Sequence, residues 1–321
     1  QEIQNHCAPG QQGGAGLKGT VYYRQAELLL RILPMIHSGS DFALKGGTAI
    51  NFFVCDMPRL SVDIDLTYLP INEREAALEG ISRALSSVFA KLRKVLPDSQ
   101  VLMKKIGSSD LLAGLVVRRG DATVKIEPNL VMRGSVLPTQ VRSLSKKAQD
   151  LFETSVDVRI LSDPELYGGK LCAALDRQHP RDLFDIKILL DREGLGEQTR
   201  KVFLIYLISH PRPIVELLDP NLVDIRASYE KDFSVMAVVK IKFEELIETR
   251  ERLIHLIKAS MTPEEKEFLL SVKQGKPEWD IIGMKGVENL PAIQWKILNI
   301  MNMSPAKHKK AIEKLRNHLG I

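Results

Sequence analysis

The sequence predicts an α+β fold, a mixed sheet flanked by helices followed by a mostly helical part. Three observations carry this. Apolar runs of strand length cluster between Phe42 and Val131, and the two-residue Gly120-Asp121 step joins two of them as a hairpin. Beyond about Asp150 the apolar spacing turns helical almost to the end. Ala26, Leu29, Leu30 and Leu33 give a first helix over 22–36. A short strand at 42–44 runs into Gly46-Gly47, a short helix covers 48–54, and a loop around Pro58 follows. A strand over 61–68 precedes a long amphipathic helix over 72–96, where Asn72 and Glu75 are spaced as a capping box. Strands are expected at 100–106, 111–118 and 122–131. Asp163 stands as the N-cap of a helix with Pro164 at its first position, and another helix begins near Pro180. The composition shift near 154–163 divides the chain into an arm (1–20), a sheet-bearing domain (21–155) and a helical domain (156–321).

Composition narrows the function classes. A chain of 321 residues suits two domains. Aromatics at 6% argue against a base-stacking platform for single strands, and a net charge of +5 permits a nucleic-acid partner without demonstrating one. The three cysteines, Cys7, Cys55 and Cys172, are isolated and have no metal spacing, which reads as a reducing cytoplasm. No apolar run is long enough to span a membrane. The Gly/Gln-rich start reads as a mobile arm.

The segment LKGGTAINFFVCDMPRLSVDIDL carries the chemistry. Residues at i and i+2 of a strand share a face, so Asp63 and Asp65 project together while Val62, Ile64 and Leu66 pack behind them. Two adjacent carboxylates repel; a hard cation such as Mg2+, held by carboxylates and substrate phosphates, resolves the conflict. Upstream, Gly46, Gly47 and Thr48 form a turn whose backbone can approach a phosphate closely. A phosphate cradle beside a metal-binding pair is the layout of a nucleotidyl-transfer site.

Two further groups extend it. In TVKIEPNLV, Glu127 is the acid on a polar strand face, able to complete a carboxylate triad with Asp63 and Asp65 or simply to pair with Lys125 or Arg118. In DPELYGGKLCAALDRQHPRDLFDIKILL, Lys170 lies on one helix and Asp182 and Asp185 on the next, at i and i+3 on one face. Lys170 can neutralise triphosphate charge; Asp182 can bind metal, orient Lys170 or accept a proton; the alternative for both is ordinary ion pairing. Arg177, His179 and Arg181 cluster at the junction, with His179 a structural histidine rather than a ligand. Lys45 and Arg59 flank the site, as phosphate contacts or as structural ion pairs.

KGGTAINFF with PRLSVDIDL, then VKIEPN, then GGKLCAALDRQHPRDLFDI resembles the AbiEii/AbiGii nucleotidyltransferase family over about 22–190. Its members are toxins of type IV toxin–antitoxin and phage-defence systems, related to the MenT toxins, within the DNA polymerase β-like superfamily. The resemblance implies a polymerase β-like fold for the first domain. It places Gly46, Gly47 and Thr48 at the phosphate turn, Asp63 and Asp65 at the metal, Glu127 at the third carboxylate, and Lys170 with Asp182 at the downstream catalytic pair. Thr48 stands where the pattern commonly has Ser, and the stretch 49–62 is longer than usual, a surplus that fits the 55–60 loop. The implied activity is Mg2+- or Mn2+-dependent in-line transfer of a nucleotide from an NTP to RNA, with the tRNA 3′ end the sharpest acceptor. The implied antitoxin acts without a stable complex. Acceptor phosphates are expected on Arg118, Arg119, Arg133, Arg142, Lys146 and Lys147, and on Lys307, Lys309, Lys310, Lys314 and Arg316 of the C-terminal tail, itself more simply a solvated basic helix. The rival readings are nucleotidylation of a protein hydroxyl, a catalytically silent nucleotide-binding module, and a DxD glycosyltransferase.

Overall fold

A single mixed sheet organises the first half of the chain. The computed structural model describes residues 17–37 and 41–321, so most of the arm expected over 1–20, with Cys7, lies outside the described residues. The strands are β1 (Phe42–Lys45), β2 (Asp63–Tyr68), β3 (Gln100–Lys105), β4 (Leu112–Arg119), β5 (Ala122–Asn129), β6 (Gln140–Ser143) and β7 (Asp157–Ile160), in the spatial order β3-β4-β5-β2-β1-β7-β6. β2 runs parallel to β5 and β1 parallel to β7; the other neighbours are antiparallel. The expected hairpin forms, with Arg119 opposite Ala122 and Gly120 at φ +59° supplying the left-handed turn residue.

Helices α1 (Val21–His37) and, after the one-turn helix α2 (Gly46–Ala49), α3 (Arg74–Val95) cover one face of the sheet. Ile64, Leu66, Leu115, Val117, Val124 and Ile126 point into that layer and are buried. Alternation along β5 then places Thr123, Lys125, Glu127 and Asn129 on the opposite face.

Local expectations fail where longer-range contacts act. The capping box at Asn72 does not form: the N-cap is Glu73, without a side-chain bond, and the Asn72 carbonyl accepts from Arg133 Nη1 at 3.3 Å. β6 and β7, four residues each, are too short for a periodic signal, and β7 lies beyond the boundary drawn at 155/156, so the sheet reaches into the part expected to be helical. After α4 (Lys146–Phe152) and β7 come α5 (Asp163–Arg177), α6 (Pro180–Arg192), α7 (Glu197–Ser209) and α8 (Ile214–Leu218). The N-cap of α5 is Ser162 rather than Asp163, whose carboxylate instead accepts from Arg142 at 2.9 Å. α5 packs closely on α7; a Cβ at Gly168 would sit 2.9 Å from Val202 Cγ1. Helices Phe243–Ser260, Pro263–Lys273, Pro291–Met301 and Pro305–Leu319 complete the chain. No helix among the described residues is long and apolar enough to cross a membrane.

Candidate active site

The site begins where β1 ends. Lys45 lies opposite Asp65 in the antiparallel register, and the chain then turns through Gly46 at φ +72° into α2 and a π-helical turn, Ile50–Val54. Both glycines leave room for other side chains. A Cβ on Gly46 would fall 2.6 Å from Asp65 Oδ2, and one on Gly47 would fall 2.5 Å from Arg59 Nη2. Thr48 does not turn its hydroxyl toward the cleft: Oγ1 donates to the Asp63 carbonyl at 2.6 Å and sits 2.9 Å from Ser61 Oγ, inside the core. It ties the start of the acidic strand to the glycine turn.

α5 and α6 form the facing wall. Pro180 starts α6, and His179 caps it by accepting from the Arg181 amide at 3.2 Å, with burial and neighbouring Arg181 lowering its pKa to about 4. It is thus a neutral structural cap. One turn in, Asp182 and Asp185 point back toward Lys170. Lys170 Nζ lies 2.7 Å from Asp182 Oδ1 and 3.0 Å from Asp185 Oδ2, and all three are buried. Arg177 closes on Asp182 at 2.6 Å. Arg59 grips Asp185 with two parallel bonds of 2.8 and 2.7 Å, and Asn51 Nδ2 donates to both Asp185 Oδ1 (3.0 Å) and the Gly47 carbonyl (2.9 Å). The chain Arg177–Asp182–Lys170–Asp185–Arg59 therefore holds three cations against two carboxylates. Burial pulls both carboxyls upward, but Lys170 and Arg177 at Asp182, and Arg59 and Lys170 at Asp185, outweigh it and keep them ionised.

Between sheet and helices lies a cavity of about 410 Å³, within the size range of small-ligand sites. Lys45, Gly46, Gly47, Arg59, Asp63, Asp65, Glu127, Lys170 and Asp182 all line it, so the structure brings together every predicted site residue except Thr48. Three of them are engaged in ion pairs, the alternative left open for each, although Glu127 meets Lys104 rather than Lys125 or Arg118. Arg59 is only 2% exposed and serves as an ion pair for Asp185. Lys170 already donates to two carboxylates. Glu127 is level with Asp65 on the neighbouring strand, yet its carboxylate accepts from Lys104 at 2.9 Å. Among the described residues no three His, Cys, Asp or Glu side chains converge as a metal cage. Asp63 and Asp65 remain as a pair. Burial raises the Asp65 carboxyl, the charge of Asp63 adds to this, and Lys45 opposes it. Burial in turn lowers the Lys45 ammonium against the pull of Asp65 and Glu165.

Two residues that the structure makes part of the site, Asn51 and Glu165, were not singled out in the sequence, and two more, Asp185 and Arg181, were named there without an assigned role. Asn51 and Asp185 orient the turn, and Arg181 Nη1 stands 3.9 Å from Asp63 Oδ2. Glu165, 1% exposed, lines the far end of the cavity and accepts from the amides of Val136 (2.8 Å) and Leu137 (3.2 Å) and from Tyr206 OH (3.2 Å). Despite those donors, burial pushes its carboxyl up to about 7. The i, i+4 spacing of Gly47 and Asn51 was a usable signal for the first link; Glu165 reads simply as an acid in the first turn of a helix.

A family model described as "Nucleotidyl transferase AbiEii toxin, Type IV TA system" matches residues 27–296. Among solved structures, the nucleotidyltransferase toxin MenT4 from Mycobacterium tuberculosis H37Rv is similar in fold, with a TM-score of 0.56 at 12% identity over 95% of this chain and 99% of that one. No curated protein matches. With the family model covering most of its length, sheet and helical wall alike, this chain belongs to the AbiEii family of nucleotidyltransferase toxins of type IV toxin–antitoxin systems.

Proposed function

We propose that the protein transfers a nucleotide from an NTP to an RNA acceptor, with the tRNA 3′ end as the leading candidate, and that this arrests growth in a phage-defence setting. The observation that carries the reading is the placement of Asp63 and Asp65 beside the glycine turn and across one cavity from Lys170, Arg177 and Arg181. Two carboxylates without a third ligand suit Mg2+ or Mn2+, since such ions are held by one or two carboxylates plus substrate phosphates rather than by an all-protein cage. When bound there, the ion would supply charge neutralisation at the reacting phosphate.

The chain's own residues do the rest. Gly46 and Gly47 let the backbone lie close to the triphosphate, and the Asn51 bond to the Gly47 carbonyl keeps that peptide oriented. Lys170, Arg177 and Arg181 form a positive wall facing the leaving pyrophosphate. Of the roles open to Asp182, orienting Lys170 is favoured. A carboxyl held ionised by two cations is a weak proton acceptor, and its 2.7 Å bond fixes the lysine instead. The antitoxin is taken to act without a stable complex.

The test is incubation with each labelled NTP, Mg2+, and either a tRNA pool or total cell protein, with Asp63→Ala as control. Label is expected in RNA and absent with the variant. Label only in protein would overturn the RNA acceptor, and label that survives Asp63→Ala would overturn the site.

A further inference from the structure

The sheet is covered unevenly, and the uncovered part starts at the acidic pair. Behind it α1 and α3 bury the apolar face, but in front, among the described residues, no helix packs closely on β5, β4 or β3, and Lys125, Glu127 and Asn129 of β5 face the cavity. Lys125, Arg118, Lys104 and Gln100 are exposed there, and Leu102 is 37% exposed. The register lines up Asp63, Lys125, Val116 and Leu102 across four strands. Beside Lys125 and Val116, on the adjoining pair, stand Thr123 and Arg118. Three strand spacings make this row about 14 Å long. The surface is kept low at Gly114, over which Lys104 reaches Glu127; a Cβ at Gly114 would come within 2.7 Å of the Ile126 carbonyl.

Apart from the Lys104–Glu127 pair, charge on this face is unmatched. Of the first-domain cations expected to meet acceptor phosphates, Arg119 pairs with Asp98 at 2.7 Å, Arg142 with Asp163 at 2.9 Å and Lys146 with Asp150, Arg133 is buried, and Lys147 lies on α4 rather than on these strands. Arg118, and Lys125 next to Asp63, have no carboxylate partner among the described residues. The row thus offers two unpaired cations flanking aliphatic Val116 and Leu102, with no aromatic ring in it. That set fits a phosphodiester backbone whose bases make apolar rather than stacking contacts.

We propose that this open half-sheet is the docking face of the acceptor RNA, with Lys125 and Arg118 on its phosphates and its reacting end at Asp63. The proposal rests on the RNA-acceptor reading above. The experiment uses a fluorescein-labelled single-stranded RNA 12-mer, its anisotropy titrated with the full chain over a salt series. Arg118→Glu is expected to weaken binding several-fold and to flatten the log-affinity against log-salt slope by about 0.7, the share of one phosphate contact on a single strand. Lys309→Glu with Lys310→Glu on the C-terminal helix is expected to leave both unchanged. Binding of an unreactive NTP analogue should be the same in all three proteins, which also reports on folding. A 12-mer carrying 4-thiouridine two or three nucleotides from its 3′ end should photocrosslink to peptides spanning 100–118.

Unchanged RNA binding in Arg118→Glu, or crosslinks confined to the C-terminal helix, would overturn the docking face and leave the RNA reading intact. A wild-type protein that labels protein but neither binds nor extends RNA would overturn both.

Discussion

Replacing Asp185 by Asn tests the ionic chain beneath the glycine turn. Asp185 is 1% exposed and accepts from Arg59 twice, from Asn51 and from Lys170, all within 3.0 Å. Asn keeps the volume but removes the charge, and its amide nitrogen cannot accept from either cation. Arg59, 2% exposed, is then left without a carboxylate, and Lys170, 5% exposed, keeps only Asp182, which Arg177 already holds. Breaking a buried pair from one side costs roughly 3–5 kcal/mol, because a charge stays buried without its counterion. Against a domain stability of about 5–15 kcal/mol that is a large share. Urea unfolding should therefore show a much lower midpoint with an unchanged slope. Catalysis should fall as well, since Lys170 loses one of the two carboxylates that fix it across the cavity. The exposed pair Lys105–Asp110 supplies the control, and Asp110→Asn should leave the midpoint where it is. A midpoint for Asp185→Asn within error of wild type would refute the reasoning, as would full additivity of Arg59→Met and Asp185→Asn in a double-mutant cycle.

Three further outcomes follow from the same geometry. Gly46→Ala should abolish transfer while the protein stays folded, because the new Cβ displaces the Asp65 carboxylate and the residue must hold φ +72°, a strain of about 1–3 kcal/mol; a transfer assay beside circular dichroism checks it. Gly47→Ala should instead lower the unfolding midpoint, since the atom it meets belongs to a pinned Arg59 that cannot yield. Glu165 binds a proton up to about pH 7 in the folded state but only to about 4.5 when unfolded, so its contribution makes stability fall as pH rises through that window and level off above it. Tyr206 and Lys45 are the titratable groups facing it. The pH-stability slope of Glu165→Gln between 4.5 and 7 should be less negative than that of wild type, measured by denaturant titration; identical slopes would refute this.

The α+β class and most of the candidate site were legible in the chain alone because they rest on spacings that local geometry enforces, and the family was legible through its resemblance in KGGTAINFF, PRLSVDIDL and RDLFDI. Asp63 and Asp65 share a strand face at i and i+2, Asp182 and Asp185 a helix face at i and i+3, and Gly120-Asp121 makes a hairpin wherever it is placed. Which charge meets which was decided only by the tertiary structure. Arg59 and Asp185 are 126 residues apart, and nothing near either shows that a helix from the second half brings them within 2.8 Å. The same holds for the hydroxyl of Thr48, drawn into the core by the carbonyl of Asp63, and for Glu127, turned to Lys104 across a glycine strand. The short strands β6 and β7 exist because the sheet edge beside β1 supplies their hydrogen bonds, a partner that four residues of sequence cannot announce. The sequence by itself determined which groups could do the chemistry. The fold decided which of them are neutralised inside the protein and which still face the cavity, because burial and counterions are properties of contacts between distant segments.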